Sequence, residues 1–195
     1  MRVAVFGATG RTGRLVVEAA LARGLDVTGA ARDPEVLPYG VRAVGVDARD
    51  PSAVASALEG ADAVLSAMGL PTDSPPTTAL SEATATVTGA MRAAGIEPFV
   101  LIVNGSVFLD APREGEYQVV DTEHRRDVDV VRSSGVPWVV LAPQWLNDDA
   151  PSGGYRAVID GPAGRSITRH QLAEALLDAL DREDWRGHLV GVSGD

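Results

Sequence analysis

The sequence predicts an α/β fold in which helices cover both faces of a doubly wound parallel sheet. Apolar runs of strand length alternate with longer segments of helical periodicity over most of the chain. The first run, residues 3–6, is followed at once by glycines at positions 7, 10 and 13 and by an amphipathic segment from Leu15. The run at residues 98–103 is continuously apolar, which is typical of a parallel strand buried on both faces.

Six strands and four helices are predicted in alternation up to residue 142. The helices run from Leu15 to about Gly24, from the N-cap Asp50 to Gly60, and over residues 77–94 and 119–134, and each ends at or beside a glycine. The proline-rich segment 70–76 is predicted to be a loop that faces a ligand crevice. The predicted strands cover residues 3–6, 26–31, 42–46, 61–69, 98–103 and 138–142.

The tail, from about residue 148 to 195, is predicted to be a small α+β appendage at the C-terminus. Residues 155–159 and 189–192 have the composition of strands, and Thr168 is placed to cap a helix that ends near Leu180. With 195 residues, of which 45% are hydrophobic, the chain is long enough for one substantial core. We therefore expect residues 1–195 to form a single domain.

The composition excludes several kinds of site and partner. Cysteine and lysine are both absent, and all 17 basic residues are arginines, which excludes thiolate nucleophiles and lysine Schiff bases. A net charge of −10 repels phosphate backbones, so we expect no nucleic-acid partner. No apolar run is long enough to span a membrane, and no export signal precedes the first strand, so we expect a cytoplasmic protein. We predict no metal site.

The glycine-rich turn after the first strand predicts nucleotide binding. Gly7 lets the chain turn off the strand, Gly10 lets backbone N–H groups approach a pyrophosphate, and Gly13 lets the helix pack close to the strand. The start of that helix supplies free N–H groups and a partial positive charge. Arg11, inside the turn, is a second candidate phosphate contact.

The second and third strands end in residues that bear on the choice of cofactor. A carboxylate at the end of the second strand favours NAD, whereas an arginine accommodates the 2′-phosphate of NADP. The residue there is Arg32, which predicts NADP(H), unless Arg32 is only a solvated surface residue. Asp47, after the third strand, is placed to bind the adenine amino group or to serve as a turn residue.

Three residues are candidates for the chemistry. Ser106 follows the fifth strand, where a hydroxyl would lie beside a nicotinamide, although it could equally be a turn or cap residue. The helix at 119–134 contains neither tyrosine nor lysine, which leaves His124 as a candidate proton donor or a surface histidine. Trp145 follows the sixth strand at the crevice, where it could stack on an acceptor, cover the nicotinamide or simply pack.

The chain also resembles the atypical short-chain dehydrogenase/reductases of the NmrA-like, NAD(P)H-binding group, in particular the biliverdin reductase B or NADPH-dependent flavin reductase type. The resemblance runs almost end to end and rests on GATGRTG at 7–13, AARD at 30–33, DAVLSAMG at 62–69, SPPTTALSEAT at 74–84, RSSGVPWVVLAP at 132–143 and GGYRAVIDG at 153–161. Two positions depart from the pattern. Trp145 stands where the typical member has a histidine, and Pro71 replaces an arginine of the cofactor loop.

The resemblance implies a Rossmann-type fold and a set of cofactor contacts. It places Thr9, Gly10, Arg11, Thr12 and Gly13 at the pyrophosphate and Arg32 at the 2′-phosphate. It further places Asp47 and Ala48 at the adenine, and Met68, Gly69 and Ser106 along the nicotinamide side. The remaining predicted cofactor contacts are Ala67, Pro143 and Gln144.

These observations predict an NADPH-dependent oxidoreductase that transfers hydride to a flat conjugated acceptor, such as a flavin or biliverdin. Hydride transfer to such a ring needs proximity and stacking more than a tuned protein acid. Two alternatives stay open, which are a non-catalytic NADP(H)-binding redox sensor and a biosynthetic enzyme with non-redox chemistry. The expected partner is a small aromatic or conjugated molecule, and we expect the protein to be a monomer.

Overall fold

The computed structural model describes residues 1–150 and 153–194. The helices are α1 (Arg11–Ala22), α2 (Pro51–Ala57), α3 (Ala79–Ala94), α4 (Gln118–Ser133) and α5 (Arg169–Asp178). The strands are β1 (Arg2–Phe6), β2 (Asp26–Ala31), β3 (Val41–Gly45), β4 (Ala63–Ser66), β5 (Phe99–Ile102), β6 (Trp138–Leu141), β7 (Trp145–Asn147), β8 (Tyr155–Ile159), β9 (Ser166–Thr168) and β10 (Leu189–Gly194).

Eight of these strands form one sheet in the order β3-β2-β1-β4-β5-β6-β10-β8. Every neighbouring pair is parallel except β10 and β8, which are antiparallel. The chain builds outward from β1 through β2 to β3 and then crosses back to place β4 on the other side of β1. This reversal is the switch point at which doubly wound sheets open a ligand crevice. The predicted Rossmann-type fold is confirmed.

Alternate residues of the strands pack into two separate apolar layers. In β1, Val3 and Val5 face the layer shared with α1 and α5, while Ala4 and Phe6 face the layer shared with α2, α3 and α4. The same alternation holds in β5, where Val100 and Leu101 belong to opposite layers. Helices therefore cover both faces of the inner strands, and β4, β5 and β6 are almost entirely apolar and buried, whereas the edge strands β3 and β8 are largely exposed.

The C-terminal segment, which has the predicted α+β composition, is joined closely to the main sheet. Its strands β8 and β10 extend the main sheet, and α5 packs on α1 in the same apolar layer as β1. Leu172, Leu176 and Trp185 are almost completely buried in that layer. This segment thus completes one face of the sheet, since without it the outer face of β6 and one side of α1 would stay exposed.

The structure differs from the prediction near Trp145. The sequence analysis assigned no strand to this segment, but residues Trp145–Asn147 form the short strand β7, which pairs in parallel with β9. The fourth strand is shorter than predicted, because only Ala63–Ser66 pairs with its neighbours. Within the described ranges, no helix is long and apolar enough to cross a membrane.

Candidate functional site

The glycine turn between β1 and α1 has a shape that larger residues cannot adopt. Gly7 has a φ of 73°, and a Cβ there would lie 2.9 Å from backbone atoms of Ala67 and Met68. A Cβ on Gly13 would lie 2.1 Å from the carbonyl oxygen of Gly7. The two outer glycines are thus required by the close approach of α1, β1 and the end of β4, as the sequence predicted.

The middle glycine faces a different environment. A Cβ on Gly10 would meet only the Gly7 carbonyl oxygen, at 3.2 Å, and would otherwise extend into open space. No described side chain caps the N-terminus of α1, and the first turn of that helix contains no acidic residue. Uncapped N–H groups at a helix start beside an open cradle suit a phosphate, so this turn fits the pyrophosphate of a dinucleotide.

A crevice of about 400 Å³ opens at the carboxyl ends of β1 to β4. It also receives the first turns of α3, through Ala79, Leu80 and Ala83, which the sequence analysis did not include. No local signal could have identified them, because they are ordinary helix residues that only the fold brings to this edge. The predicted cofactor residues that line the crevice are Gly7, Thr9, Gly10, Arg32, Asp47, Ala48, Ala67, Met68 and Gly69.

The side of the crevice formed by the ends of β2 and β3 contains two guanidinium groups. Arg32 follows β2 and is exposed, and its side chain has no partner within the described ranges. Arg49, which the sequence analysis missed, donates to Asp47 through Nε at 3.1 Å and Nη2 at 2.8 Å. Hydrogen bonds from Arg49, and more weakly the charge of Arg32, lower the pKa of Asp47 to about 2. An ionised carboxylate and two arginines therefore lie on this side of the crevice.

Arg11 points away from the crevice. It forms an ion pair with Asp148, which also accepts a hydrogen bond from Arg169 Nη1 at 2.6 Å. Arg11, Thr12 and Gly13 belong to the first turn of α1 and do not line the crevice. The predicted phosphate contact of Arg11 would therefore require it to leave Asp148.

The turn that follows β5 contains Ser106, which was predicted to lie beside the nicotinamide and which does not line the crevice. Asn104 Oδ1 accepts the Ser106 hydroxyl at 2.5 Å and the Ser106 backbone N–H at 3.2 Å. Ser106 itself is 3% exposed. Gln144 donates to the Gly105 carbonyl at 3.3 Å, and a Cβ on Gly105 would lie 2.6 Å from that amide nitrogen. The ends of β5 and β6 are thus in direct contact, so Ser106, Pro143 and Gln144 form one layer.

Helix α4 supports this layer through Asp121, whose carboxylate is completely buried. Asp121 accepts hydrogen bonds from Asn104 Nδ2 at 2.7 Å and from the backbone and side chain of Arg113 at 2.7 to 2.9 Å. Burial alone raises the pKa of Asp121, but these hydrogen bonds outweigh it and lower the pKa to about 2. Asp121 was not among the predicted site residues.

Arg113 also contacts two aromatic rings. Its guanidinium carbon lies 4.4 Å from the centre of the Tyr117 ring and 5.3 Å from that of Trp145. The two rings meet edge to face with 5.8 Å between their centres. Trp145 remains 51% exposed and lines a second cavity of about 400 Å³, together with Gln144 and residues 162–165. The indole is therefore held on one side and open on the other.

His124 does not reach the crevice. Its side chain is 8% exposed, and its Nδ1 lies 3.5 Å from a carboxylate oxygen of Asp127, which is completely buried. Burial raises the pKa of Asp127, and the neighbouring His124 and Thr84 of α3 only partly offset this effect. The structure therefore does not support the proton-donor role predicted for His124, because helix packing holds the imidazole between α3 and α4.

Comparison with solved structures places the fold among nucleotide-binding proteins. A protein from Streptococcus pneumoniae, provisionally named an NADH-flavin reductase, has a TM-score of 0.85 at 19% identity, with 100% of both chains covered. An oxidoreductase from Lactococcus lactis has a TM-score of 0.85 at 17% identity and covers 100% of this chain and 91% of its own. A short-chain dehydrogenase/reductase from Veillonella parvula, solved in complex with NADP, has a TM-score of 0.80 at 16% identity. The match covers 98% of this chain and 94% of the V. parvula chain. At these identities the likeness establishes the fold.

The sequence itself provides the assignment. Residues 7–183 match the profile of a family described as NAD(P)H-binding, and this range contains the glycine turn, the crevice and the Ser106 layer. It also spans α5, which packs on α1. The chain therefore belongs to the NAD(P)H-binding family.

Proposed function

We propose that this protein is an NADPH-dependent oxidoreductase that reduces a flat conjugated acceptor of the flavin or biliverdin class. The observation that carries the proposal is the exposed indole of Trp145, which directly follows Gln144 of the Ser106 layer just after the carboxyl end of β6. The crevice opens at the carboxyl ends of β1 to β4, on the same edge of the parallel sheet. An exposed, fixed aromatic ring is suited to stack on a planar acceptor. The provisional flavin-reductase name of the S. pneumoniae neighbour agrees with this reading.

NADPH is the preferred cofactor in this proposal because of the side of the crevice formed by the ends of β2 and β3, where the adenosine would lie. Arg32 has its donors free, whereas Arg49, on the same side, is paired with the Asp47 carboxylate. A guanidinium offers several N–H donors in a fixed plane, which matches the oxygens of a 2′-phosphate. The glycine turn would hold the pyrophosphate of the cofactor and Arg32 its 2′-phosphate, and the bound cofactor would supply the hydride.

The chain's own residues position the reactants without acting as acids. The Ser106 hydroxyl proton is engaged by Asn104, so its oxygen can accept a hydrogen bond from a carboxamide N–H but does not protonate the acceptor. The reduced acceptor would take its proton from solvent. Trp145 would fix the acceptor plane and exclude water from one side of it.

The direct test is NADPH oxidation, followed by the absorbance of the reduced nicotinamide, with FMN, riboflavin, biliverdin or no acceptor. We expect acceptor-dependent oxidation by the wild type. Trp145→Ala should retain NADPH binding and lose about three- to tenfold in kcat/KM, the range expected for one aromatic stack. Phe108→Ala is the control for a merely structural loss. It removes a partly buried ring that belongs to the turn after β5 and packs against the core.

A non-catalytic NADP(H)-binding sensor is the alternative. It is favoured because two carboxylates of α4 are engaged inside the fold and are therefore not free for catalysis. Glu123 accepts hydrogen bonds from the first turn of α3, and Asp121 pairs with Arg113. Tight NADPH binding without oxidation by any of these acceptors, together with a conformational difference between the NADP⁺ and NADPH complexes, would select this alternative. Acceptor-independent conversion of a non-redox substrate would point instead to biosynthetic chemistry.

A further inference from the structure

The carboxylate of Asp121 joins two parts of the proposed site. It lies in the first half of α4, is completely buried, and accepts hydrogen bonds from two different segments. One is the turn after β5, through Asn104, and the other is the segment before α4, through Arg113. Asn104 and Arg113 are 9 residues apart in the sequence. Among the described residues, Asp121 accepts hydrogen bonds from both of them.

The first branch has a fixed direction. An ionised carboxylate only accepts hydrogen bonds, so the group of Asn104 that faces Asp121 at 2.7 Å must be its NH₂. The Asn104 oxygen then faces Ser106, whose hydroxyl and backbone N–H both donate to it. The Ser106 oxygen is left with acceptor capacity alone. The Asp121 carboxylate and the Ser106 backbone N–H thus fix the orientation of the Asn104 amide from its two ends, and this orientation sets the role that the Ser106 hydroxyl can take toward a ligand.

The second branch fixes the aromatic cluster. Arg113 forms a forked pair with Asp121 through Nε at 2.8 Å and Nη2 at 2.7 Å. Its flat face lies over Tyr117, which in turn meets the edge of Trp145. Because the fork leaves the guanidinium few alternative orientations, Asp121 also restrains the indole that we assign to acceptor stacking.

We propose that Asp121 is a positioning residue that couples the two halves of the site, setting Ser106 as a hydrogen-bond acceptor and holding Trp145 for the acceptor. The proposal rests on the proposed reductase function. Asp121 orients Ser106 indirectly, through the side chain of Asn104, and its own carboxylate is not assigned a contact with either reactant.

The two branches can be separated by three variants. Asn104→Ala breaks the Ser106 branch, and we expect it to lower kcat about three- to tenfold while the acceptor KM stays unchanged. Arg113→Ala breaks the aromatic branch, and we expect it to raise the acceptor KM about three- to tenfold with kcat nearly unchanged. Asp121→Asn has nearly the same volume but lacks the charge and one acceptor oxygen, and we expect it to show both effects.

Asp127→Asn is the matched control. Asp127 is the other completely buried aspartate of α4, and it contacts His124 in the interface with α3 rather than Asn104 or Arg113. We expect its kcat and acceptor KM to equal those of the wild type. If Asp121→Asn matches Asp127→Asn in both constants, the proposal is wrong. It is also wrong if Asn104→Ala and Arg113→Ala change the same constant.

A second readout needs no turnover. Acrylamide quenching of Trp145 fluorescence is obtained as the difference between each protein and the same protein carrying Trp145→Phe. We expect Asp121→Asn and Arg113→Ala to increase this quenching, and Asn104→Ala and Asp127→Asn to leave it unchanged. If wild type oxidises no NADPH but this pattern holds, the reductase function fails while the coupling stands. If Asp121→Asn does not fold, the contrast between Asn104→Ala and Arg113→Ala decides, and its absence overturns the proposal.

Discussion

Arg32 is the residue on which the choice of cofactor depends. We expect Arg32→Ala to weaken NADPH binding about tenfold or more, since hydrogen bonds to a charged group contribute about 1.5 to 3 kcal/mol. NADH binding should change little, because NADH lacks the 2′-phosphate. Isothermal titration with both cofactors tests this expectation. Arg132→Ala, an exposed arginine in the last turn of α4, is the control for charge alone, and equal losses for the two cofactors would rule out the assignment.

Asp148 competes for an arginine that a phosphate could use. It pairs with Arg11 at the start of α1, where the N–H groups are uncapped. We expect Asp148→Asn to strengthen NADPH binding up to about fivefold at low salt, because exposed ion pairs are worth about 0.2 to 1 kcal/mol. The gain should shrink as salt is added.

Asp149→Asn changes the net charge equally and serves as the control for the Asp148 variant. Its carboxylate has no partner in the described part of the chain, whereas Asp148 has two. A gain of the same size in both variants would mean that general electrostatic attraction, rather than release of Arg11, explains the effect.

Helix α4 supports the turn after β5 through Asp121, and we expect the contribution of this contact to stability to depend on pH. The folded-state pKa of Asp121 is about 2, below the value of 3.8 for an unperturbed aspartate. Its contribution to stability is therefore present above about pH 4 and lost as the pH falls toward 2. From the size of the shift, it is on the order of 2 kcal/mol.

We expect urea unfolding to show this dependence as a difference between wild type and Asp121→Asn. The difference in unfolding free energy should be constant above about pH 5 and should shrink as the pH falls below 4. Asp127 has a raised pKa, so as the pH falls wild type should gain stability relative to Asp127→Asn, which is the opposite sign. A difference between wild type and Asp121→Asn that stays constant down to pH 3 would contradict the assignment.

A side chain at Gly10, in the turn between β1 and α1, should leave the protein folded but prevent NADPH from binding. Gly10→Val would place methyl groups in the open cradle, and we expect no measurable NADPH binding together with a thermal midpoint close to that of the wild type. Gly89→Val, at an exposed position of α3 with no neighbour within 4 Å, is the matched control and should bind normally. Normal binding by a folded Gly10→Val would show that the turn is structural only.

At the scale of the whole molecule, we expect a monomer. The net charge of −10 opposes association, although the edge strand β8 exposes Val158 and Ile159 and is the surface through which two sheets could pair. Light scattering should give the chain mass of 20.3 kDa at both low and high salt. A mass twice as large would contradict this expectation, and loss of the dimer in Val158→Lys would then identify the edge.

Features encoded within a few consecutive residues were predictable. The six parallel strands follow from apolar runs, the cap of α2 from Asp50 and Pro51, and the nucleotide turn from three glycines. The strand 155–159 matched its predicted bounds, and α3 and α4 began and ended within about two residues of theirs. Most predicted crevice residues also lie together, because the carboxyl ends of parallel strands meet at one edge.

The strand and helix pattern, the glycine turn and the place of Arg32 at the end of the second strand could be predicted from the amino-acid sequence, because each depends on local geometry and periodicity. Only the tertiary structure decided that Arg11 meets Asp148, 137 residues away, that Asp121 holds Asn104 and Arg113, and that Trp145 lies in a strand paired with β9. It also decided that His124 is buried between two helices. The physical reason is that side-chain pairing between distant segments depends on how helices pack on the sheet, and no spacing along the chain encodes that packing.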